Sequence, residues 1–268
     1  MKKYLVIGNP IEHSLSPTIH NYWMKKYKLT DSIYEKKKVE KKEVGNIVDQ
    51  IRTDKLIGVN VTAPFKKEII PLLDEVDNIA KNTLSVNTLF KVENKIFGYN
   101  TDVPGFNESL IDVDYKNKDI FILGSGGVTS SIIYSFINKV NKIYVTNRTK
   151  EKAEKLKKLY SYSDTQIEVI NWGKKPTVCD LVINTTSVGL KKDGNLDLDF
   201  KDYENNKDAL FYDIIYSPKE TNFLKEARLR GNKTMNGGMM FLNQAKIAFQ
   251  IWTGITVEID QEVIKLLD

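Results

Sequence analysis

The 268-residue chain carries 40 Lys and Arg against 35 Asp and Glu, a net charge of +5, too slight a bias to single out nucleic acid as a partner. Its composition is that of a folded soluble domain, and no apolar run approaches the roughly 18 residues that span a bilayer. One cysteine, Cys179, excludes an internal disulfide and suits a reducing cytoplasm, while His13 and His20 are too few for most metal sites, so no metal is expected.

Strand and helix patterns alternate along the chain, which predicts an α/β architecture with mostly parallel sheets and room for two modest domains. The start, MKKYLVIGNP, has two lysines, but only about five apolar residues precede Gly-Asn-Pro, so residues 4–8 read as a strand and not as a leader. Residues 17–28 read as a helix with Ser16 at the N-cap and Pro17 in the first turn; Ile19, Trp23 and Tyr27 share one face. A strand at 33–39, a helix at 42–52 and a strand at 58–62 follow. Residues 86–92 and 95–99, joined by Glu93-Asn94, read as a β-hairpin.

A second unit begins near Asp119. A buried strand at 120–123 runs into Gly124-Ser125-Gly126-Gly127 and an apolar helix at 128–138. A strand at 142–146 and a helix at 150–160 come next, the latter's lysines forming a solvated face. Strands at 167–171, 181–184 and 210–215 complete a doubly wound sheet, and helices at 239–253 and 257–267 end the described pattern.

The G-x-G-G turn lets backbone N–H groups approach a pyrophosphate at a helix N-terminus, although a plain strand–helix turn also uses such glycines. It lacks the Gly-Lys-Ser/Thr of a P-loop, which argues against ATP or GTP. An NAD-binding domain carries an acid at the end of its second strand; this chain has Asn147-Arg148-Thr149, with Lys152 one turn on. Cations there pair with a 2′-phosphate, which predicts NADP.

Two further runs end in ionisable groups: GVNVTAPFK at 58–66 in Lys66, and GYNTD at 98–102 in Asp102. Lysine can pass a proton to or from an alcohol while an aspartate holds its ammonium. On spacing alone, the same residues fit a surface-turn lysine and an aspartate that N-caps the next helix better than a pair, since only the fold could bring positions 66 and 102 together.

In order along the chain, Ser14-Leu15-Ser16-Pro17, NVTAPFK at 60–66, SVNTL at 85–89, NTD at 100–102, the glycine turn at 124–127, NRT at 147–149 and the late Gln244 resemble the shikimate dehydrogenase family. The resemblance covers nearly the whole chain. It implies an N-terminal α/β substrate domain over 1–103, completed by 239–268, and a Rossmann-type NADP domain over 104–238. The activity implied is reversible hydride transfer between NADPH and the carbonyl of 3-dehydroshikimate, giving shikimate. Lys66 would move the proton and Asp102 would bond the same hydroxyl. Ser14 and Ser16 would hold the substrate carboxylate, Thr62, Asn87 and Gln244 the ring hydroxyls, with Tyr216 close by. Gly124, Ser125, Gly126, Gly127, Val128, Asn147, Arg148, Thr149, Lys152, Ile214 and Gly237 would line the cofactor. The expected partner is a small molecule, with no nucleic acid or membrane, and the expected state a monomer or homodimer in the cytoplasm.

The chain departs from the family pattern at Val128 and Thr129, where alanine or serine is common, and at Asn222, where proline usually follows Thr221. Ser217 stands where asparagine is frequent, and Gly237-Gly238-Met239-Met240 replaces a common G-x-G-M. The alternatives are a dual quinate/shikimate enzyme, a catalytically silent NADP-binding regulator, and a folate-linked dehydrogenase. Retention of both Lys66 and Asp102 argues against the silent form. A folate-linked enzyme would not carry SLSP and NTD in these places.

Overall fold

The structure, a computed structural model, describes residues 1–190, 196 and 198–267. In chain order the first elements are β1 (Lys2–Gly8), α1 (Ser16–Lys26), β2 (Ser32–Lys38), α2 (Val44–Arg52), β3 (Gly58–Val61), β4 (Glu75–Val76), α3 (Asn78–Thr83), β5 (Thr88–Val92), β6 (Lys95–Tyr99) and α4 (Asp102–Ser109). The middle of the chain forms β7 (Asp119–Leu123), α5 (Gly127–Phe136), β8 (Lys142–Thr146), α6 (Lys150–Leu159), β9 (Gln166–Ile170), β10 (Leu181–Asn184), β11 (Leu210–Asp213), α7 (Asn222–Arg230) and β12 (Lys233–Asn236). The last helices are α8 (Gly238–Thr253) and α9 (Gln261–Lys265).

The chain divides into two compact units, Met1–Ser109 with Phe241–Leu267, and Leu110–Met240. The division falls after α4, whereas the boundary read from sequence, 103/104, would cut that helix. Asp268, in the expected return segment, lies outside the described residues.

The first unit is built on a mixed sheet in the order β2-β1-β3-β5-β6-β4. β1 runs parallel to β2 and β3, and the expected hairpin β5–β6 lies antiparallel beside β3. Helix α2 buries Val44, Ile47, Val48 and Ile51, a stripe at helical spacing, against Leu5, Ile7, Val59, Val61 and Leu89 of the sheet. An aromatic layer of Tyr4, His20, Trp23, Tyr34, Phe249 and Trp252 joins α1, α8 and the sheet. Gly58 makes room for this layer, since a Cβ there would sit 2.3 Å from Trp252 Nε1. Burying a wholly apolar side chain of this layer, such as Phe249, stabilises the unit by about 1.5–3 kcal/mol.

The second unit is a parallel sheet in the order β12-β11-β10-β7-β8-β9. The strand order reverses between β7 and β10, the topological switch point at which α/β sheets bind ligands beyond their carboxyl ends. Phe223, Leu224 and Ala227 of α7 pack with Phe121, Val182 and Phe211 on one face of this sheet.

Candidate active site

In the first unit, the sequence candidates collect at one end of the sheet. The turn after β1 leads to Ser14 and Ser16, the turn after β3 carries Thr62 and Lys66, Asn87 precedes β5, and Asp102 follows β6. Two backbone bonds fasten the first two turns together: Asn9 N donates to Ala63 O at 3.0 Å, and Thr62 N donates to Ile7 O at 2.9 Å.

Lys66 and Asp102 meet. Lys66 Nζ donates to Asp102 Oδ2 at 2.6 Å, and the two side chains are only 12% and 7% exposed. The other carboxylate oxygen, Oδ1, accepts from Asn87 Nδ2 at 2.9 Å. Asp102 opens α4 but does not cap it: Val103 N donates to Asn100 Oδ1 at 3.1 Å, so the Asn100 side chain takes that N–H of the first turn. The Asn100 amide is itself held by Thr83 Oγ1 and Ser85 O. The aspartate is therefore free to serve the lysine, and the lysine is not a surface-turn residue.

Gln244 of α8 joins the same cluster, its Oε1 accepting from Asn87 Nδ2 at 3.5 Å while its Nε2 donates to Phe241 O at 2.8 Å. Ser14 Oγ donates to Ser16 Oγ at 3.2 Å and accepts from Ser16 N at 3.3 Å. The expected cap is corrected here: Ser16 is the first residue of α1, Leu15 occupies the N-cap, and no side chain caps the helix. The Pro17 ring helps fix the first turn, Ser14 Oγ takes the Ser16 N–H, and the Ser16 hydroxyl makes no capping bond.

In the second unit the glycine turn follows β7 at the switch point. Gly124 has φ +112°, and a Cβ there would lie 2.5 Å from Thr185 Oγ1. Thr185 Oγ1 donates to Leu123 O at 2.7 Å and contacts Thr129 Oγ1 at 2.8 Å, tying the ends of β7 and β10 to α5. Thr129 stands out in the sequence only as a departure from the family pattern and Thr185 not at all; the switch-point rule finds Thr185 once the strand order is known. Gly126 is the N-cap of α5, makes no side-chain cap bond, and has open space where a Cβ would be. Ser125 Oγ and Thr146 Oγ1 are buried without partners. A helix N-terminus with open space beside it and orphan hydroxyls fit a phosphate-bearing cofactor.

Asn147 sits at the end of β8, where its Nδ2 donates to Thr149 O at 2.8 Å. Arg148 and Lys152 are exposed and form no ion pair among the described residues. Thr149 is the N-cap of α6 but makes no side-chain cap bond. Gly237 is pressed against Ile214: its N–H donates to Ile215 O at 3.1 Å, and a Cβ on it would collide with the Ile214 carbonyl. Tyr216 lies in the loop after β11.

Comparison with known proteins decides the family. The substrate-binding domain of shikimate dehydrogenase matches residues 6–89, and the domain described as shikimate / quinate 5-dehydrogenase matches residues 107–215. A shikimate dehydrogenase (NADP(+)) of Pelagibacter ubique is 48% identical, with 100% of this chain and 99% of that protein covered. The chain belongs to the shikimate dehydrogenase family. The crystal structure of the family member from Aquifex aeolicus matches with TM-score 0.89 at 37% identity, over 100% of this chain and 97% of that one. Another, solved in complex with NADP+, matches with TM-score 0.89 at 32% identity, over 100% and 94%.

Three of the departures from the family pattern have local settings that accommodate them. Val128 is the second residue of α5, past the turn and in regular helix, and Met239 lies within α8 with no left-handed φ, so that position does not need glycine's freedom. Asn222 is the first residue of α7, where proline is tolerated but not required, because Thr221 Oγ1 caps the helix by accepting from Leu224 N. No helix among the described residues is long and apolar enough to cross a membrane.

Proposed function

We propose that the chain reduces 3-dehydroshikimate reversibly to shikimate with NADPH, using Lys66 and Asp102 as its proton-transfer pair. The 2.6 Å contact between Lys66 Nζ and Asp102 Oδ2, nearly buried at the sheet end that carries Ser14, Ser16, Thr62 and Asn87, carries this reading. When bound, the cofactor supplies the hydride to the substrate carbonyl. Lys66 donates a proton from Nζ to that carbonyl oxygen as it becomes an alcohol, and recovers it in oxidation. Asp102 keeps the ammonium in place and accepts from the same hydroxyl. Asn87 and Gln244 orient ring hydroxyls with Thr62, and the paired serine hydroxyls hold the carboxylate.

The second unit holds NADP with the glycine turn and the N-terminus of α5 on the pyrophosphate. Arg148 and Lys152 pair with the 2′-phosphate, a role supported by Asn147 standing where an NAD site has an acid. Ile214 and Gly237 line the nicotinamide end, with Tyr216 nearby. A cytoplasmic location suits the single thiol, Cys179, which burial pushes up to about 12 and so keeps unreactive.

The matched domain description also names quinate, which favours dual specificity as the second reading. Assaying shikimate and quinate, each with NADP and with NAD, separates the two. Turnover of shikimate with NADP above the other three combinations is expected. No turnover in any combination would leave a binding protein.

A further inference from the structure

We infer that Tyr34, Asn60 and Thr88 are positioning residues: their side chains form a one-way file of hydrogen bonds that decides which end of the Asn87 amide faces Asp102. This rests on the reading of Lys66 and Asp102 as the proton-transfer pair.

The file starts at β2 and crosses the sheet. Tyr34 OH donates to Asn60 Oδ1 on β3 at 2.6 Å, and both residues are buried. With its oxygen claimed, Asn60 turns its Nδ2 toward β5, donating to Thr88 Oγ1 at 3.1 Å and to Asn87 O at 3.1 Å. Thr88 Oγ1, accepting from Asn60, directs its own proton to Asn87 Oδ1 at 3.2 Å. Thr101 N donates to that same oxygen at 2.8 Å. Thr101 Oγ1 adds a third donor to it at 3.2 Å. Three donors thus fix the oxygen end of the Asn87 amide, which leaves Nδ2 to donate to Asp102 Oδ1 at 2.9 Å. A flipped amide would set a carbonyl oxygen against a carboxylate and strand the Thr101 N–H in a buried site.

His20 explains how the far end is held. Its ring stacks on Tyr34 with centroids 4.2 Å apart and planes within 1°. Both of its nitrogens are buried without partners, so the imidazole serves Tyr34 as a flat wall. The tyrosine is thereby fixed in plane while its hydroxyl points along the file. Of these residues only Asn60 and Thr88 lie within the motifs NVTAPFK and SVNTL, where the chemistry proposed above left them without a role.

Tyr34→Phe keeps the ring stack and removes the first donor; Thr88→Val removes the last one, and Thr88→Ser restores it. In Tyr34→Phe and Thr88→Val, kcat for shikimate should fall roughly ten- to a hundredfold with KM for NADP unchanged, while Thr88→Ser stays near wild type. The Thr101 amide, freed from Asn87 Oδ1, should exchange about tenfold faster with solvent. Val48→Ala, a core truncation in the same unit, supplies a variant of comparable Tm loss that should leave kcat and Thr101 exchange alone. If Tyr34→Phe and Thr88→Val lose Tm as that control does but keep kcat and Thr101 protection, the file is merely structural and the proposal falls. Normal turnover in Lys66→Ala would instead overturn the proton-pair reading beneath it, a failure that Thr101 exchange distinguishes because it does not depend on activity.

Discussion

A β-carbon on Gly105 would lie 2.7 Å from the backbone nitrogen of Gln244, so α8 rests on α4 only because residue 105 has no side chain. That approach brings the Gln244 amide to Asn87. Gly105→Ala should gain about 1 kcal/mol of helix propensity and lose more to overpacking against backbone, which costs about 1–3 kcal/mol. A lower Tm is expected, together with a raised KM for shikimate and an unchanged KM for NADP. A Tm at or above wild type would show that the helices can separate at no cost.

Lys66→Ala should lower kcat roughly 10²–10⁴-fold, the usual worth of a positioned acid–base group. The KM for shikimate should move much less. Steady-state kinetics at saturating NADP check this, and near-normal turnover would assign the proton to another donor.

How much of this was legible in the sequence depends on what each element packs against. β8 and β10 are apolar strands flanked by turns, and their predicted spans coincide with the observed ones. β12, with the sequence KTMN, is an edge strand paired only with β11, and its polar composition hides it. Helix α7 is hidden in the sequence because its charged residues mask the short stripe of Phe223, Leu224 and Ala227. At the site, motif order singled out Lys66, Asp102, Asn87 and Gln244, but not the division of labour among neighbours. Asp102 and Asn100 are both residue types that cap helices, and only the fold shows that it is Asn100 whose side chain takes the Val103 N–H. The role of Tyr34 is invisible for the same reason, since its partner Asn60 is two strands away.

Arg148→Ala should weaken NADP binding by about 1.5–3 kcal/mol, the worth of a hydrogen bond to a charged group. The Arg148 side chain is exposed and makes no ion pair among the described residues, so its removal should cost little stability. NAD lacks the 2′-phosphate and should bind as before. Fluorescence titration with both cofactors tests this, and an equal loss for the two would remove Arg148 from the phosphate site.

His20 sets an acid limit on stability. Burial pushes its imidazole down to about 3 from the ordinary 6.5. The unfolded chain therefore takes up a proton below pH 6.5 that the folded chain refuses until about pH 3. Stability due to this group is complete above pH 6.5 and drains away as the pH falls, by ~2 kcal/mol at pH 5. Denaturant melts of the wild type and His20→Phe across pH 5–7.5 should show a shallower acid slope in the variant. Parallel slopes would mean that His20 titrates normally and is not sealed in the aromatic layer.

Shikimate should be strongly preferred over quinate, because quinate carries an extra hydroxyl on the carbon that bears the carboxylate. That group must fit beside Ser14 and Ser16, whose hydroxyls are already bonded to each other at 3.2 Å. A buried polar group left unpaired costs about 1–3 kcal/mol, or roughly ten- to a hundredfold in kcat/KM. Ser16→Gly should narrow the gap by opening space next to the carboxylate. The helix should tolerate this change, since Leu15 and not Ser16 is the N-cap and the serine hydroxyl makes no capping bond. Shikimate binding should weaken in the same variant, as one of two carboxylate donors is gone. Comparable kcat/KM for the two acids in the wild type would move the enzyme to the dual-specificity group and show that the serine pair leaves room for a further hydroxyl.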